Sequence, residues 1–151
     1  AQFHDRVGVV SFSNMADVVV DITRNPHRLT RRVIDLELHP NAFTNIGYGI
    51  LKGAHMFGYH RRSKASQHMI VISDGDATAP HPSPKKYALR QATKVAKKGI
   101  TISCICINED SADAELMRRI ARIGKGRMHF IGAEQVTSAV LEERMAARAS
   151  Y

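Results

Sequence analysis

Tryptophan is absent from this 151-residue chain, and aromatic side chains make up only 6% of it. Surfaces that hold single-stranded nucleic acid interleave aromatic with basic side chains, and no stretch here does so; nucleic acid is not an expected partner. No apolar run approaches the roughly 20 residues that cross a bilayer, so no membrane partner is expected either. The opening residues AQFHDR lack the basic start and apolar run of a secretory signal. Nothing in the sequence points out of the cell, and a cytoplasmic location is expected. A G-x-x-x-x-G-K-[ST] phosphate loop is missing. Gly124-Lys-Gly126 precedes a strand instead of following one, and reads as a helix stop and turn. Cysteine is limited to Cys104 and Cys106, in TISCICI. Two residues apart on a strand, they share a face. A disulfide between them would be strained, and zinc would need two further ligands. They read as small apolar core residues, in keeping with a reducing compartment.

What is present is an ordinary globular composition. Apolar residues make up 44% of the chain, enough for a real core in one domain spanning 1–151. The 22 basic and 14 acidic side chains leave a net charge of +8, which favours acidic partners.

The spacing of apolar residues predicts ten elements. Arg6–Phe12 and Asp17–Ile22 read as strands close enough to form a hairpin. Asn25-Pro26 opens a helix running to about Leu38, with Leu29, Val33 and Leu36 on one face, and His39-Pro40 stops it. A helix from Asn45 to about Tyr59 carries Ile46, Ile50, Ala54 and Phe57 at helical spacing. Its Gly47, Gly49 and Gly53 weaken a helix and therefore suggest close approach to another backbone. A strand at 69–73 follows, then a rigid loop holding Pro80, Pro82 and Pro84. Next come a basic helix from Lys85 to Lys98 with Ala88, Ala92 and Val95 inward, a strand at Ile100–Ile107, and a helix at Asp113–Ile123. A short strand at Met128–Ile131 and an amphipathic helix at Val136–Arg148 complete the chain. Strict alternation from residue 69 onward predicts a parallel sheet sandwiched by helices, with right-handed crossovers.

The stretch MIVISDGDAT, Met69 to Thr78, is the most informative. Ile70, Val71 and Ile72 form a run without polar alternation, as in a strand covered on both faces. Ligands of open α/β sheets gather at the carboxyl ends of such strands, which is where Ser73, Asp74 and Asp76 fall.

DRVGVVSFS, the following hairpin strand, the Thr44-Asn-Ile start of a helix, IVISDGD, KKGITISCICI and GKGRMHFI occur in an order and spacing that resembles the von Willebrand factor A domain over essentially the whole chain. It is most similar to the intracellular microbial branch that includes the magnesium-chelatase D subunit and partners of MoxR-type AAA+ ATPases. The resemblance implies an α/β, three-layer α/β/α Rossmann-like fold with a mostly parallel sheet and one antiparallel edge strand. It implies a non-enzymatic, metal-ion-dependent adhesion site holding Mg2+ or Mn2+, with Thr44 and Asp74 as ligands. Ser73, Asp76 and Asn45 stand next to that site, supporting it or touching a partner. A hard cation takes near-octahedral oxygens, so an acidic residue of another protein completes the shell; on this resemblance that partner is an AAA+ ATPase, beside which the protein works in metal insertion or enzyme activation.

The Asp-x-Ser-x-Ser motif that supplies the remaining ligands in that family occurs nowhere in this sequence. Ser11-Phe-Ser13 lies on what would be the second strand and is no substitute. The central strand and first helix are therefore expected to be missing, leaving unpaired edges that recruit other strands. A weak metal site and a strand-swapped or partner-completed assembly are the corresponding expectations.

Asp74-Gly-Asp76-Ala-Thr78 also fits the Asp-x-Asp-x-Thr signature of haloacid-dehalogenase-type phosphatases. There the first Asp attacks phosphorus and the second is the general acid/base, with magnesium between them. That motif follows the first strand of its fold, whereas two strands and two helices precede it here. Among the eight histidines, His55 and His60 stand off the spacing of a helical metal pair. His81 reads as solvent-exposed and His129 as an edge-strand residue.

Overall fold

The computed structural model describes residues 5–13, 15–35, 44–59, 66–73, 77–79, 82–107, 114–131 and 135–149. β1 (Val7–Phe12) and β2 (Ala16–Thr23) form an antiparallel pair. α1 (Pro26–Ile34) begins at Asn25, whose side chain accepts the His27 and Arg28 amides, and Pro26 sits in the first turn where its missing donor is harmless. After α2 (Ile46–Tyr59) strands and helices alternate as β3 (His68–Ser73), α3 (Pro84–Lys97), β4 (Thr101–Cys106), α4 (Ala114–Ile123), β5 (Lys125–Phe130) and α5 (Val136–Ala149). This is the predicted element order.

β3, β4 and β5 pair in parallel with β4 in the middle. Among the described residues β1 pairs only with β2 and β3 only with β4, so the strands form two separate sheets. β4 is buried on both faces. Ile102, Cys104 and Cys106 face the core formed with α2, α3 and α4, while Ser103 and Ile105 face the other way. Burial, with the nearby Cys106 and Glu143 adding, pushes the Cys104 thiol up to about 12 despite a backbone hydrogen bond at Ala121. Both cysteines are buried, as the sequence suggests, and neither is in a disulfide.

α2 crosses both sheets on one face. A Cβ at Gly49 would come within 2.8 Å of Phe12 on β1, and one at Gly53 within 3.0 Å of Met69 on β3. The close approach expected of these glycines is real, but at Gly49 and Gly53 the neighbours are side chains. Backbone comes near only at Gly47, 3.1 Å from the Ala88 Cα of α3.

α5 covers the opposite face and is fastened there by polar groups. Glu143 is 0% exposed. Its carboxylate accepts the Ser103 hydroxyl of β4, the His129 imidazole of β5 at 2.6 Å and the His68 imidazole of β3 at 3.1 Å. Beside it, Arg144 donates to Asp5, just before β1, at 2.8 Å. Burial raises the Glu143 pKa, but the Ser103 and His129 hydrogen bonds and the charges of His68 and His129 outweigh it, and the carboxyl lies below its ordinary value. Burial lowers the His68 pKa by more than the same carboxylate raises it.

Three details differ from the sequence reading. β5 starts at Lys125, not at 128, because Gly124 and Gly126 lie directly on β4: a Cβ at Gly126 would fall on the Ile102 carbonyl. The Gly-Lys-Gly stretch is thus part of the strand pairing as well as a helix stop. On α1, Val33 and Ile34 are 46% and 75% exposed and no residue is buried; Leu36 lies outside the described residues. His129 is on an edge strand as expected, yet its ring is turned inward onto Glu143.

Gly126→Ala is expected to lower stability by about 3 kcal/mol, since the obstacle is backbone. Gly58→Ala, with nothing within 4 Å, should raise it by about 0.5–1 kcal/mol. Urea unfolding of the two variants checks both signs. For pH, both perturbed groups have folded values below their unfolded ones. Their stabilisation is complete above the ordinary values of 6.5 for His68 and 4.5 for Glu143 and is lost as pH falls through the folded values. The melting temperature should therefore drop steadily on acidification from neutral pH, and a flat or rising profile would contradict the Glu143 clamp.

Candidate metal and protein-binding site

The chain reaches α2 through Thr44 and Asn45. The Asn45 side chain accepts the Tyr48 amide at 2.9 Å and so caps the helix, while its own amide donates to the Ser13 carbonyl, in the turn after β1, at 2.7 Å. Asn45 is 7% exposed, consistent with this structural role. Thr44 is bound on its other side. Its amide donates to the Thr78 hydroxyl at 2.8 Å, and its carbonyl accepts the Thr78 and Ala79 amides at 2.9 and 3.1 Å. None of these bonds uses the Thr44 hydroxyl, which belongs to a half-buried residue.

Ser73 ends β3, buried, with its carbonyl accepting the Ile107 amide at 3.1 Å. Asp74 and Asp76, the two carboxylates singled out in the sequence, lie outside the described residues, between Ser73 and Ala77. The structure thus brings Thr44 against Thr78 and Ala79, the described residues that next follow Ser73 at the carboxyl end of β3. Among the described residues no group of three or more His, Cys, Asp or Glu is arranged to hold a metal. The donor at hand is a hydroxyl oxygen, the type a hard cation takes, and not the nitrogen or sulfur that zinc prefers. His55 is exposed on α2, and His60 and His81 lie outside the described residues. A cavity of about 800 Å³ opens along α1, beside Asn25, Arg28, Arg31 and Asp35, and neither Thr44 nor Thr78 borders it.

The buried cluster of Glu143, Ser103, His68 and His129 is the set that sequence reasoning missed. Its members lie 14, 40 and 75 residues from Glu143, and no short motif joins them. Its geometry is structural. Ser103 is fully buried with its hydroxyl committed to the Glu143 carboxylate, so it offers no hydroxyl to a molecule in solution.

Solved structures share this fold. BatB from Bacteroides thetaiotaomicron matches with a TM-score of 0.79 at 20% identity, over 96% of this chain and 80% of its own. An aerotolerance-related membrane protein from Bacteroides fragilis matches at 0.71 and 18%, over 93% and 79%. Proximal thread matrix protein 1 of the mussel byssus, with zinc in its MIDAS motif, matches at 0.72 and 17%, over 88% of this chain and 34% of that one. At these identities the likeness is one of fold. Among the described residues no helix is long and apolar enough to cross a membrane. No curated protein matches the sequence significantly. The sequence model of the von Willebrand factor type A domain matches residues 1–143, and the chain belongs to that family.

Proposed function

We propose that this domain is a non-enzymatic module that binds an acidic group of another protein with the help of a divalent cation, Mg2+ or Mn2+, held by Thr44 and Asp74. Domains of this family are commonly metal-dependent interaction modules rather than enzymes. The observation that carries the reading is the bonding of Thr44 to Thr78 and Ala79. It ties the start of α2 to Thr78 and Ala79, four and five residues after Asp74 in the sequence, while leaving the Thr44 hydroxyl free of those bonds. Bound there, the cation would supply a positive centre for a partner's carboxylate. The chain's own part is to hold Thr44 still by three hydrogen bonds, to cap α2 with Asn45, and to fix the end of β3 at Ser73. Asp76 supports the loop, as aspartate does in turns.

The partner we propose is an AAA+ ATPase presenting that acidic group, with this protein serving beside it in metal insertion or enzyme activation in the cytoplasm. Its support is the resemblance of the Thr44 and IVISDGD segments to the chelatase branch. β1 and β3 each show one unpaired edge among the described residues, and such edges recruit strands. Completion by a partner's strand, or by strand exchange, belongs to the same proposal. Family membership supports this reading over the phosphatase one of Asp74 and Asp76, whose signature belongs to another fold.

Calorimetric titration with Mg2+ or Mn2+ is expected to show weak binding, with a dissociation constant on the order of millimolar for so small a donor set. Asp74→Asn should abolish it. Tight stoichiometric binding, or binding indifferent to Asp74→Asn, would contradict the proposal. Hydrolysis of an aryl phosphate with Mg2+ should be undetectable; turnover that disappears in Asp74→Asn would restore the phosphatase reading.

A further inference from the structure

No acidic residue occurs between Asp76 and Glu109, while Lys85, Lys86, Arg90, Lys94, Lys97 and Lys98 all do. Most of these lie on α3, which has no acidic residue in its first turn. Ala88, Gln91, Ala92 and Val95 are turned into the core, and Lys86, Arg90, Lys94 and Lys97 are exposed. Steps of four, four and three place these cations in one row along the outer face, about 16 Å long at 1.5 Å per residue. None of the four makes an ion pair among the described residues.

This arrangement works against the helix. Like charges four residues apart repel across each turn, here at 86–90 and 90–94. A cation in the first turn also opposes the helix dipole, and Lys86 is one. A solvated helix face is usually built with both signs interspersed, because solubility does not require an unbroken row of one sign. The row starts beside the candidate site. Gly47 in the first turn of α2 packs on Tyr87 and Ala88 in the first turn of α3, and Thr44 immediately precedes α2.

We propose that the outer face of α3 is a docking surface for an acidic segment of a partner protein, lying along Lys86, Arg90, Lys94 and Lys97 and leading toward the Thr44 end of the domain. Its last clause rests on the site proposed above; the charge row itself does not. A protein segment fits better than nucleic acid. The cations form a single row on one helix, and among the described residues no aromatic side chain is exposed for bases to stack on; Tyr87 is half-buried against Gly47.

The test uses a short fluorescein-labelled polyglutamate as probe, followed by fluorescence anisotropy at low salt, with and without EDTA. The triple variant Lys86→Gln/Arg90→Gln/Lys94→Gln is compared with Arg24→Gln/Arg28→Gln/Arg31→Gln, which removes the same charge near and on α1. The α3 variant should bind about tenfold more weakly and the α1 variant less than about threefold, the residue of long-range attraction. Its melting temperature should equal or exceed that of the parent, because repulsion has been relieved. Equal losses in both variants would reduce the effect to net charge and overturn the proposal. So would a lower melting temperature in the α3 variant, or tighter binding of an oligothymidylate that α3 neutralisation abolishes. The two proposals fail separately. An α3-dependent signal that survives EDTA supports the docking surface whatever becomes of the cation site. A signal that vanishes in EDTA but ignores α3 neutralisation sinks the surface and leaves the cation site standing.

Discussion

Three hydrogen bonds between the Thr44 backbone and the Thr78–Ala79 segment hold the working end of this domain together. Each contributes about 1 kcal/mol net, but their placement matters more than their sum. They join the start of α2 to the loop that leaves β3, and Asn45 extends the junction to the turn after β1. α2 then runs from this junction across both sheets, packing Gly49 on Phe12 and Gly53 on Met69. Two sheets that share no strand pairing among the described residues are thus bridged by one helix whose origin is fixed. Thr44, carried on that origin, is positioned by its backbone, and none of these bonds uses its hydroxyl.

The opposite face is organised on a different principle. There α5 presents a carboxylate to the sheet where an apolar side chain would be ordinary. A buried charge of this kind is tolerated only when its hydrogen bonds are satisfied, and Glu143 has a partner on each of β3, β4 and β5. Such a clamp fixes the position of α5 more sharply than apolar contact would, because displacing the helix strands three polar groups at once. It also makes that face sensitive to acid, whereas the face carrying α2, α3 and α4 is held by Ile50, Ala92, Val95, Ile102 and Ile120 and is not. The α3 cations lie outside this core, so the charge row can be altered without disturbing the packing beneath it.

How much of this was legible in the sequence depended on whether the determining contacts were local. All ten elements could be read, since each carries its own signal: Asn25-Pro26 at a helix start, the run of β-formers in Ile70–Ile72, and Ala88, Ala92 and Val95 at helical spacing. Cys104 and Cys106 were recognisable as core from their neighbours. The start of β5 was not, because Lys125, Gly126 and Arg127 are poor strand formers, and Gly126 is there for its closeness to the Ile102 carbonyl. Nor was the exposure of Val33, whose helical spacing with Leu29 and Leu36 implies a covered face, whereas no residue of α1 is buried. Glu143 carries no local signal, and only the tertiary fold shows that His68, Ser103 and His129 converge on it. At the candidate site Thr44 could be picked out by resemblance, while its partner Thr78 could not, since a backbone-to-hydroxyl bond 34 residues apart leaves no pattern.

The claim that a cation is held where the start of α2 meets the end of β3 can be put to a direct measurement: paramagnetic broadening of backbone amide resonances on addition of Mn2+. Signals of Thr44, Ser73 and Thr78, with those of residues 74–76, should broaden first, while those of His68, His129 and Glu143 on the far face stay sharp. Broadening centred on the two histidines, or spread evenly over exposed carboxylates, would contradict the account.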